Sequence, residues 1–141
     1  MERGDLKMYT DEKLKRILEE NKTIAVVGCS RDRQKAAHTV PKYMKEQGYK
    51  IMPVNPFANQ ILEEKVHKSL SEIKEPIDIV NIFRPSEQCL EVVKEAVNLK
   101  PKVIWMQLGI ENKDAAQVAE KHGIEVIMDR CILLEHKNLI K

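Results

Sequence analysis

The sequence of 141 residues lacks the marks of several protein classes. Its three cysteines follow an N-terminus without signal-peptide character, so we expect reduced thiols and no disulfide framework. Apolar runs such as Ile24–Val27 have only four residues, far below the length that spans a bilayer. Basic residues (24) nearly balance acidic ones (22), so neither nucleic acid nor a membrane is an expected partner. We therefore expect a cytoplasmic protein.

What is present suits one compact domain. Apolar residues make up 43% of the chain, enough for a real core, and we interpret residues 1–141 as a single domain. Residues 1–22 form an N-terminal helical extension in this interpretation, with Thr10 as the capping residue. Lysine (18) and glutamate (16) supply most of the charge. This bias is typical of hyperthermophile proteins and also of ordinary charged surfaces; we predict a thermostable protein.

Five short apolar segments alternate with amphipathic helical segments. The predicted strands are Thr23–Val27, Tyr49–Val54, Asp78–Phe83, Val103–Met106 and Ile124–Met128. Such alternation predicts right-handed crossovers and a parallel sheet covered on both faces. The predicted fold class is α/β, a single Rossmann-like doubly wound domain with a five-stranded parallel sheet. We expect the strand order 3-2-1-4-5, with the flavodoxin-like order 2-1-3-4-5 as the alternative.

The loop after the first strand is the leading candidate for a binding site, because ligands of such sheets bind beyond the carboxyl ends of the strands. Gly28 permits a close approach of the backbone to a ligand. We expect the amides of Cys29, Ser30 and Arg31 to point at an anion, helped by the positive end of the next helix. Three basic residues are candidates for further phosphate contacts: Arg31, Arg33 and Lys35. The alternative is a tight turn at Gly28 with solvated basic residues.

Two nucleotide-binding signatures are missing. Dinucleotide sites have G-x-G-x-x-G after the first strand and an acidic residue after the second. Here one glycine stands where three are expected, and the second strand ends in Pro53-Val54-Asn55-Pro56. The P-loop pattern is also absent. An NAD(P)-binding redox or regulatory domain is therefore the alternative function and not the main one.

Candidates for catalysis and metal binding are few. The histidines form no metal-ligand pair such as H-x-x-x-H: His38, His67, His122 and His136. His38, near the start of its helix, is a candidate contact to a ligand phosphate; the alternative is a helix-start histidine without a role. A thiol enzyme or thiol redox partner that uses Cys29 or Cys131 is a third hypothesis, although no histidine is placed by sequence as its base.

Arg84 follows the third predicted strand directly, at the mouth of the expected cleft. Pro85 then sets the loop, and we expect Ser86 to cap the next helix. An arginine at this position suits a carboxylate, phosphate or amide-oxygen ligand. The alternative is a surface salt bridge to a helix glutamate.

Motifs at all five strand ends, in order, resemble a known family. They are Val27-Gly28-Cys29-Ser30, Pro53-Val54-Asn55-Pro56, Phe83-Arg84-Pro85-Ser86-Glu87, Trp105-Met106-Gln107-Leu108-Gly109 and Met128-Asp129-Arg130-Cys131. The family is the small, stand-alone coenzyme A-binding proteins of bacteria and archaea. These proteins are related to the N-terminal CoA-binding domain of the succinyl-CoA synthetase alpha subunit. The resemblance spans roughly residues 24–131.

The resemblance implies a bent CoA molecule across the switch point of the sheet. The residues that would hold the pyrophosphate are Gly28, Cys29, Ser30 and Arg31. Those that would flank the adenosine end are Val54, Asn55 and Pro56. Those that would line the pantetheine arm are Phe83, Arg84, Pro85, Gln107, Leu108 and Gly109. Lys35 and His38 are further candidate contacts to phosphate.

The resemblance implies binding but does not imply a reaction, because the phosphorylated histidine of the synthetase belongs to a second domain. We predict a protein that binds CoA or acyl-CoA without catalysis of its own. It would serve as a carrier, sensor or subunit. The sequence does not identify a protein partner. We also hypothesise that bound CoA forms a mixed disulfide with Cys29 or Cys131 under oxidising conditions.

Overall fold

The computed structural model describes residues 9–140. The strands are β1 (Thr23–Val27), β2 (Lys50–Val54), β3 (Gln60–Ile61), β4 (Glu64–Lys65), β5 (Ile79–Ile82), β6 (Val103–Met106) and β7 (Glu125–Ile127). The α-helices are α1 (Asp11–Glu20), α2 (Ala36–Glu46), α3 (Cys89–Ala96), α4 (Lys113–Lys121) and α5 (Ile132–Leu139). The α/β class and the five-stranded parallel sheet are confirmed. Residues 1–8 of the predicted extension lie outside the described residues.

The main sheet has the order β2-β1-β5-β6-β7. Counted over the five long strands this is 2-1-3-4-5, so the expected order 3-2-1-4-5 is wrong and the flavodoxin-like alternative is confirmed. The physical reason lies in Pro53 of β2. A proline has no N–H to donate and therefore suits an edge strand. The Pro53 carbonyl faces away from β1 and accepts the His67 N–H at 3.0 Å.

Two helical layers cover the sheet. One buried cluster joins α1, α2 and α5 to one face of the sheet, and a second joins α3 and α4 to the other face. In β1, Ile24 and Val26 belong to the first cluster, whereas Ala25 and Val27 belong to the second. Both faces of this strand are therefore buried, as its continuous apolar run predicts.

The starts of the first two helices differ in one backbone detail. The Thr10 hydroxyl accepts the Lys13 N–H at 3.0 Å, which confirms Thr10 as the cap of α1. Pro41 is the sixth residue of α2, beyond the first turn where a proline is expected to fit. Pro41 lacks the N–H that would bond to the Ala37 carbonyl. The Ser30 N–H bonds to that carbonyl at 3.1 Å, so the proline provides the acceptor that fastens the β1–α2 loop.

The sequence pattern predicts neither the β3–β4 hairpin nor α5. The hairpin turns at Leu62 and Glu63, whose φ values of 56° and 65° are left-handed and unusual for residues other than glycine. In α5, His136 is buried, and its Nδ1 lies 2.8 Å from the Tyr43 hydroxyl of α2. Both elements follow from tertiary contacts, and their own short sequences carry no clear periodicity.

The helices of this domain are short. The longest helix within residues 9–140, α2, has 11 residues. Within residues 9–140, none of the helices combines the length and apolar character that crossing a membrane requires.

Candidate functional site

The switch point of the sheet lies between β1 and β5. The chain leaves these neighbouring strands in opposite directions, toward α2 and toward α3, so a crevice opens at their carboxyl ends. Gly28, which follows β1, meets the backbone that follows β5. A Cβ atom on Gly28 would lie 3.0 Å from Arg84 Cδ and 3.2 Å from the Phe83 carbonyl oxygen. Its φ of +88° also requires glycine, so backbone conformation and close approach both select this residue.

The loop after β1 keeps part of the predicted anion-facing backbone. The prediction for the Ser30 amide is wrong, because this N–H donates to the Ala37 carbonyl that Pro41 leaves unbonded. The N–H groups of Cys29 and Arg31 have no acceptor among residues 9–140. Two of the three predicted amides thus remain able to bind an anion.

The start of α2 adds positive charge beside this loop. Lys35 occupies the N-cap position, no side chain caps the helix, and its first turn contains no acidic residue. The unbonded N–H groups of a helix start carry a partial positive charge. Arg31, Arg33 and Lys35 are exposed, and none forms an ion pair within the described part of the chain. The combination makes this corner of the carboxyl edge electropositive.

Asn55 ties the loop after β2 to the loop after β1. Its Nδ2 donates to the Cys29 carbonyl at 2.9 Å, and its Oδ1 accepts the Ala58 N–H at 3.1 Å. The Val54 side chain is buried in the core, and its carbonyl accepts the Gly28 N–H at 3.1 Å. Asn55 and Val54 therefore hold the shape of the crevice wall from inside.

The tip of the β2 loop presents an exposed apolar surface. Pro56 is exposed, and the Phe57 side chain is 84% exposed. Phe57 is not among the residues predicted from sequence. The available signal was an aromatic residue in a loop of a chain with only 4% aromatic residues.

His38 joins the β1 loop to α2. Its side chain is only 8% exposed, and its Nδ1 lies 2.7 Å from the Ser30 carbonyl oxygen. Because a carbonyl only accepts, Nδ1 carries the proton of this hydrogen bond. The second ring nitrogen, Nε2, has no hydrogen-bond partner among residues 9–140.

Arg84 stands at the carboxyl end of β5, as predicted. Its Nε donates to Gln88 Oε1 at 2.9 Å, so the alternative of a salt bridge with a helix glutamate is not the contact that forms. The other guanidinium nitrogens have no partner in the described range 9–140. Phe83 is half-buried and Pro85 is exposed beside it. The side chain is therefore free to donate hydrogen bonds into the crevice.

The loop after β6 contains one inward and one outward residue. Gln107 is buried, and its Oε1 accepts the Ile132 N–H at 3.3 Å, so its side chain supports the loop from within. Leu108 is 60% exposed. The Gly109 N–H donates to Asp129 Oδ1 at 2.7 Å, which ties this loop to the loop after β7.

The start of α4 is closed by its own side chains. Asn112 Oδ1 accepts the Ala115 N–H at 2.9 Å, and Asn112 Nδ2 donates to the Ser86 carbonyl at 3.0 Å. The Ser86 hydroxyl accepts the Glu111 N–H at 3.0 Å, so Ser86 bonds this neighbouring loop and does not cap its own helix as expected. Asp114 adds a negative charge in the first turn.

The cysteines differ in access. Cys29 is fully buried, and burial raises the pKa of its thiol to about 12. The hypothesis of a thiol enzyme or thiol redox partner that uses Cys29 is therefore wrong, because the side chain is buried in the core. Burial also raises the pKa of Cys89 to about 11. Cys131, at the N-cap of α5, is partly exposed.

The predicted site residues thus fall into two groups. One group is exposed or half-buried at the carboxyl edge: Gly28, Arg31, Lys35, Pro56, Phe83, Arg84, Pro85, Leu108 and Gly109. In the other, side chains are buried or hydrogen-bonded within the protein: Cys29, Ser30, His38, Val54, Asn55 and Gln107. The second group supports the backbone that the first group presents.

Sequence comparisons connect the chain to a CoA-binding domain family, to an uncharacterized bacterial protein and to a CoA ligase subunit. A family model described as CoA binding domain matches residues 22–137. YneT from Bacillus subtilis is 45% identical over 123 residues, a match that covers 87% of this chain and 91% of YneT. The alpha subunit of ADP-forming acetate–CoA ligase II from Pyrococcus furiosus is 31% identical over 129 residues. That match covers 82% of this chain and 28% of the ligase subunit.

Solved structures share the fold over nearly the whole chain. Cell-free ID.343 from Thermus thermophilus superposes with a TM-score of 0.89 at 39% identity, covering 94% of this chain and 100% of that one. A hypothetical protein from Pyrococcus horikoshii OT3 superposes with a TM-score of 0.93 at 33% identity, covering 96% of each chain.

Proposed function

The chain belongs to the CoA-binding domain family, and from that membership we propose that it binds coenzyme A in the crevice between β1 and β5. CoA has three chemically distinct parts: a pyrophosphate, an adenosine with a 3′-phosphate, and a pantetheine arm that ends in a thiol. Each part has a matching surface at the carboxyl edge of the sheet.

The observation that carries the proposal is the electropositive corner at the start of α2. The free amides of Cys29 and Arg31, the uncapped helix start and the charge of Lys35 converge at the switch point. A pyrophosphate bound there would receive charge-assisted hydrogen bonds from backbone donors. Gly28 lets the β1 loop lie directly against the β5 loop at Phe83 and Arg84, while Ser30 holds the loop to α2.

The adenosine end would lie along the β2 loop. Val54 and Asn55 fix that loop, and Pro56 flanks it. The exposed ring of Phe57 adds a flat face on which an adenine base can stack.

The pantetheine arm would run between the β5 and β6 loops. Its amide oxygens suit the free guanidinium nitrogens of Arg84, and its methylene groups suit the exposed Leu108 side chain. Phe83 and Pro85 line the same side, while Gly109 and the backbone of Gln107 complete the opposite wall.

The NAD(P) alternative has less support. Dinucleotide sites place an acidic side chain after the second strand to bind the ribose hydroxyls. This chain has Asn55 there, and both ends of the Asn55 amide are hydrogen-bonded inside the protein. No carboxylate is therefore offered at that position.

The proposed role is that of a carrier, sensor or subunit for CoA or acyl-CoA in the cytoplasm, without catalysis of its own. The matched ligase subunit is far longer, and the match covers 28% of it, so the ligase reaction is not assigned to this chain. The high pKa of the Cys29 thiol also argues against a nucleophile in the crevice wall.

Native mass spectrometry of the purified protein tests the proposal. After incubation with an equimolar mixture of CoA, NAD and NADP, the expected complex carries one CoA and neither dinucleotide. A complex with NAD or NADP in place of CoA would contradict the proposal and favour the redox alternative.

A further inference from the structure

A second concave region lies beside the proposed pyrophosphate loop. It is an open groove of about 770 Å³ between α2 and the β3–β4 hairpin. Arg33, His38 and Lys42 line the side of α2, while Gln60 and Glu63 line the side of the hairpin. The groove therefore begins at the same helix start that borders the crevice.

The charges in the groove are uneven. Toward the end of α2, Lys45 is neutralised by Glu64 at 3.1 Å, and it also donates to the Leu62 carbonyl at 2.5 Å. Lys42 lies 3.9 Å from Glu46. Arg33, in the loop that precedes the N-cap residue Lys35 of α2, forms no ion pair within residues 9–140. Arg33 is thus the basic lining residue without an ion pair in the described range, and Glu63 on the hairpin is the acidic lining residue without one.

His38 separates the groove from the β1 loop. The ring is more than nine-tenths buried, and its Nδ1 holds the Ser30 carbonyl of the loop. The ring also lines the groove, and its Nε2 has no partner among the described residues. Nδ1 is used by the bond to the loop, so Nε2 is the ring nitrogen that can meet a phosphate group in the groove.

We propose that this end of the groove binds a phosphate monoester, the 3′-phosphate of CoA, through Arg33 and His38; the inference rests on the proposed function. Two anion positions then flank one imidazole ring, with the pyrophosphate on the Ser30 side and the monoester on the groove side. CoA carries both groups, whereas NAD and dephospho-CoA carry only the pyrophosphate. The groove is therefore the part of the site that selects CoA over its dephosphorylated form.

Calorimetric titration with CoA and with dephospho-CoA tests this inference. The wild-type protein should bind CoA at least about 10-fold more tightly than dephospho-CoA, as one or two charge-assisted contacts predict. Arg33→Gln and His38→Asn should each reduce that ratio to below about 3-fold, because each should weaken CoA binding more than it weakens dephospho-CoA binding. Asparagine keeps a donor near the Nδ1 position, so the bond to Ser30 is retained while Nε2 is lost. Lys121→Gln removes an equal charge far from the groove and should preserve the ratio.

The outcomes separate the inference from the proposed function. Tight and equal binding of CoA and dephospho-CoA would overturn the groove assignment and leave CoA binding in place. A wild-type preference that survives both variants would also overturn it, because other residues would then read the phosphate. Binding of neither compound would overturn the proposed function itself. If His38→Asn does not fold, Arg33→Gln decides alone, since the Arg33 side chain is exposed.

Discussion

Two helix starts at the same edge of the sheet are built in opposite ways. The start of α4 is closed: Asn112 caps its first turn, Asp114 adds a negative charge, and Ser86 binds the adjoining loop. The start of α2 is open: Lys35 occupies the N-cap position and no side chain accepts a first-turn N–H. A closed start satisfies its own donors, whereas an open start leaves donors and positive charge for a ligand.

The open start carries a cost that the fold could have avoided. Replacing a capping side chain typically lowers helix stability by about 1 kcal/mol, and one residue at position 35 would suffice to supply a cap. The structure instead holds the β1 loop through the hydrogen bond from the Ser30 N–H to the Ala37 carbonyl, which Pro41 leaves free. This hydrogen bond holds the loop in place while the N–H groups of Cys29 and Arg31 stay unbonded. An anion site requires such unbonded donors.

Lys35→Asp would convert the α2 start into the α4 type. The carboxylate would cap the helix and repel a phosphate, so CoA affinity should fall at least about 100-fold, or ~2.7 kcal/mol. The free energy of unfolding should rise by about 0.5–1 kcal/mol. Lys113→Asp makes the same change of charge at the closed α4 start, and its CoA affinity should stay within about 3-fold. Calorimetric titration of both variants measures this, and similar affinities would break the comparison.

Gly28→Ala tests the close approach of the β1 loop to the β5 loop. The new Cβ would press on the Phe83 carbonyl at 3.2 Å, so the clash is with this chain's own backbone before any ligand binds. Gly48→Ala is the matched control, because Gly48 has a φ of +99° and nothing within 4 Å of its Cβ position. Both variants should lose about 1 kcal/mol to left-handed strain. Gly28→Ala should lose about 1–2 kcal/mol more in denaturant unfolding; equal losses would show that the loops can separate freely.

Arg84→Ala tests the side of the crevice opposite α2. The side chain is exposed, so the fold should persist, while CoA affinity should fall by about 1.5–3 kcal/mol, or roughly 13- to 160-fold. Gln88→Ala removes only the internal partner of Arg84 and should change CoA affinity less than about 3-fold. Equal effects of the two variants in calorimetric titration would assign Arg84 to the structure of its loop.

Asn112→Ala would remove the cap from the closed start of α4. Loss of the cap should lower the free energy of unfolding by about 1 kcal/mol, as Thr10→Ala should at the start of α1. Neither variant should alter CoA affinity beyond about 2-fold, because these helix starts hold no ligand. A marked loss of CoA binding in Asn112→Ala alone would mean that the start of α4 also contacts the ligand.

The smallest effect is expected at Cys29. Its pKa of about 12 leaves almost no thiolate at pH 8, so CoA disulfide should not modify it, despite its place beside the crevice. Any mixed disulfide should form at the partly exposed Cys131 and disappear in Cys131→Ser. Intact-mass analysis measures the adduct, and an adduct that persists in Cys131→Ser would contradict the burial argument.

The strands and the layer architecture could be predicted because each depends on local pattern. Apolar runs such as Val103–Met106 identify buried strands wherever they occur. The strand order depended on one residue, since Pro53 favours an edge position for β2 and the order 3-2-1-4-5 would have enclosed it. The β3–β4 hairpin was not predictable, because Leu62 and Glu63 occupy conformations that glycine usually marks.

The site was predictable in position but only in part by residue. The rule for parallel sheets and the family motifs both indicated the loops at Gly28 and Arg84, and these loops do meet. The buried position of the Gln107 side chain depends on Ile132, which is distant in sequence. The bond from the Ser30 N–H to the Ala37 carbonyl depends on Pro41 within α2. No local sequence pattern reveals either contact. Heat resistance stays a prediction, with an expected calorimetric midpoint above about 80 °C.

The most direct test of the account is a calorimetric titration of the wild-type protein with CoA and, separately, with NAD at about 0.15 M salt. The open start of α2 and Arg84 on the opposite side of the crevice predict that each chain binds one CoA. CoA should bind at least about 100-fold more tightly than NAD. Binding of NAD with equal or higher affinity, or no heat of binding with CoA, would contradict the assignment of this crevice to coenzyme A.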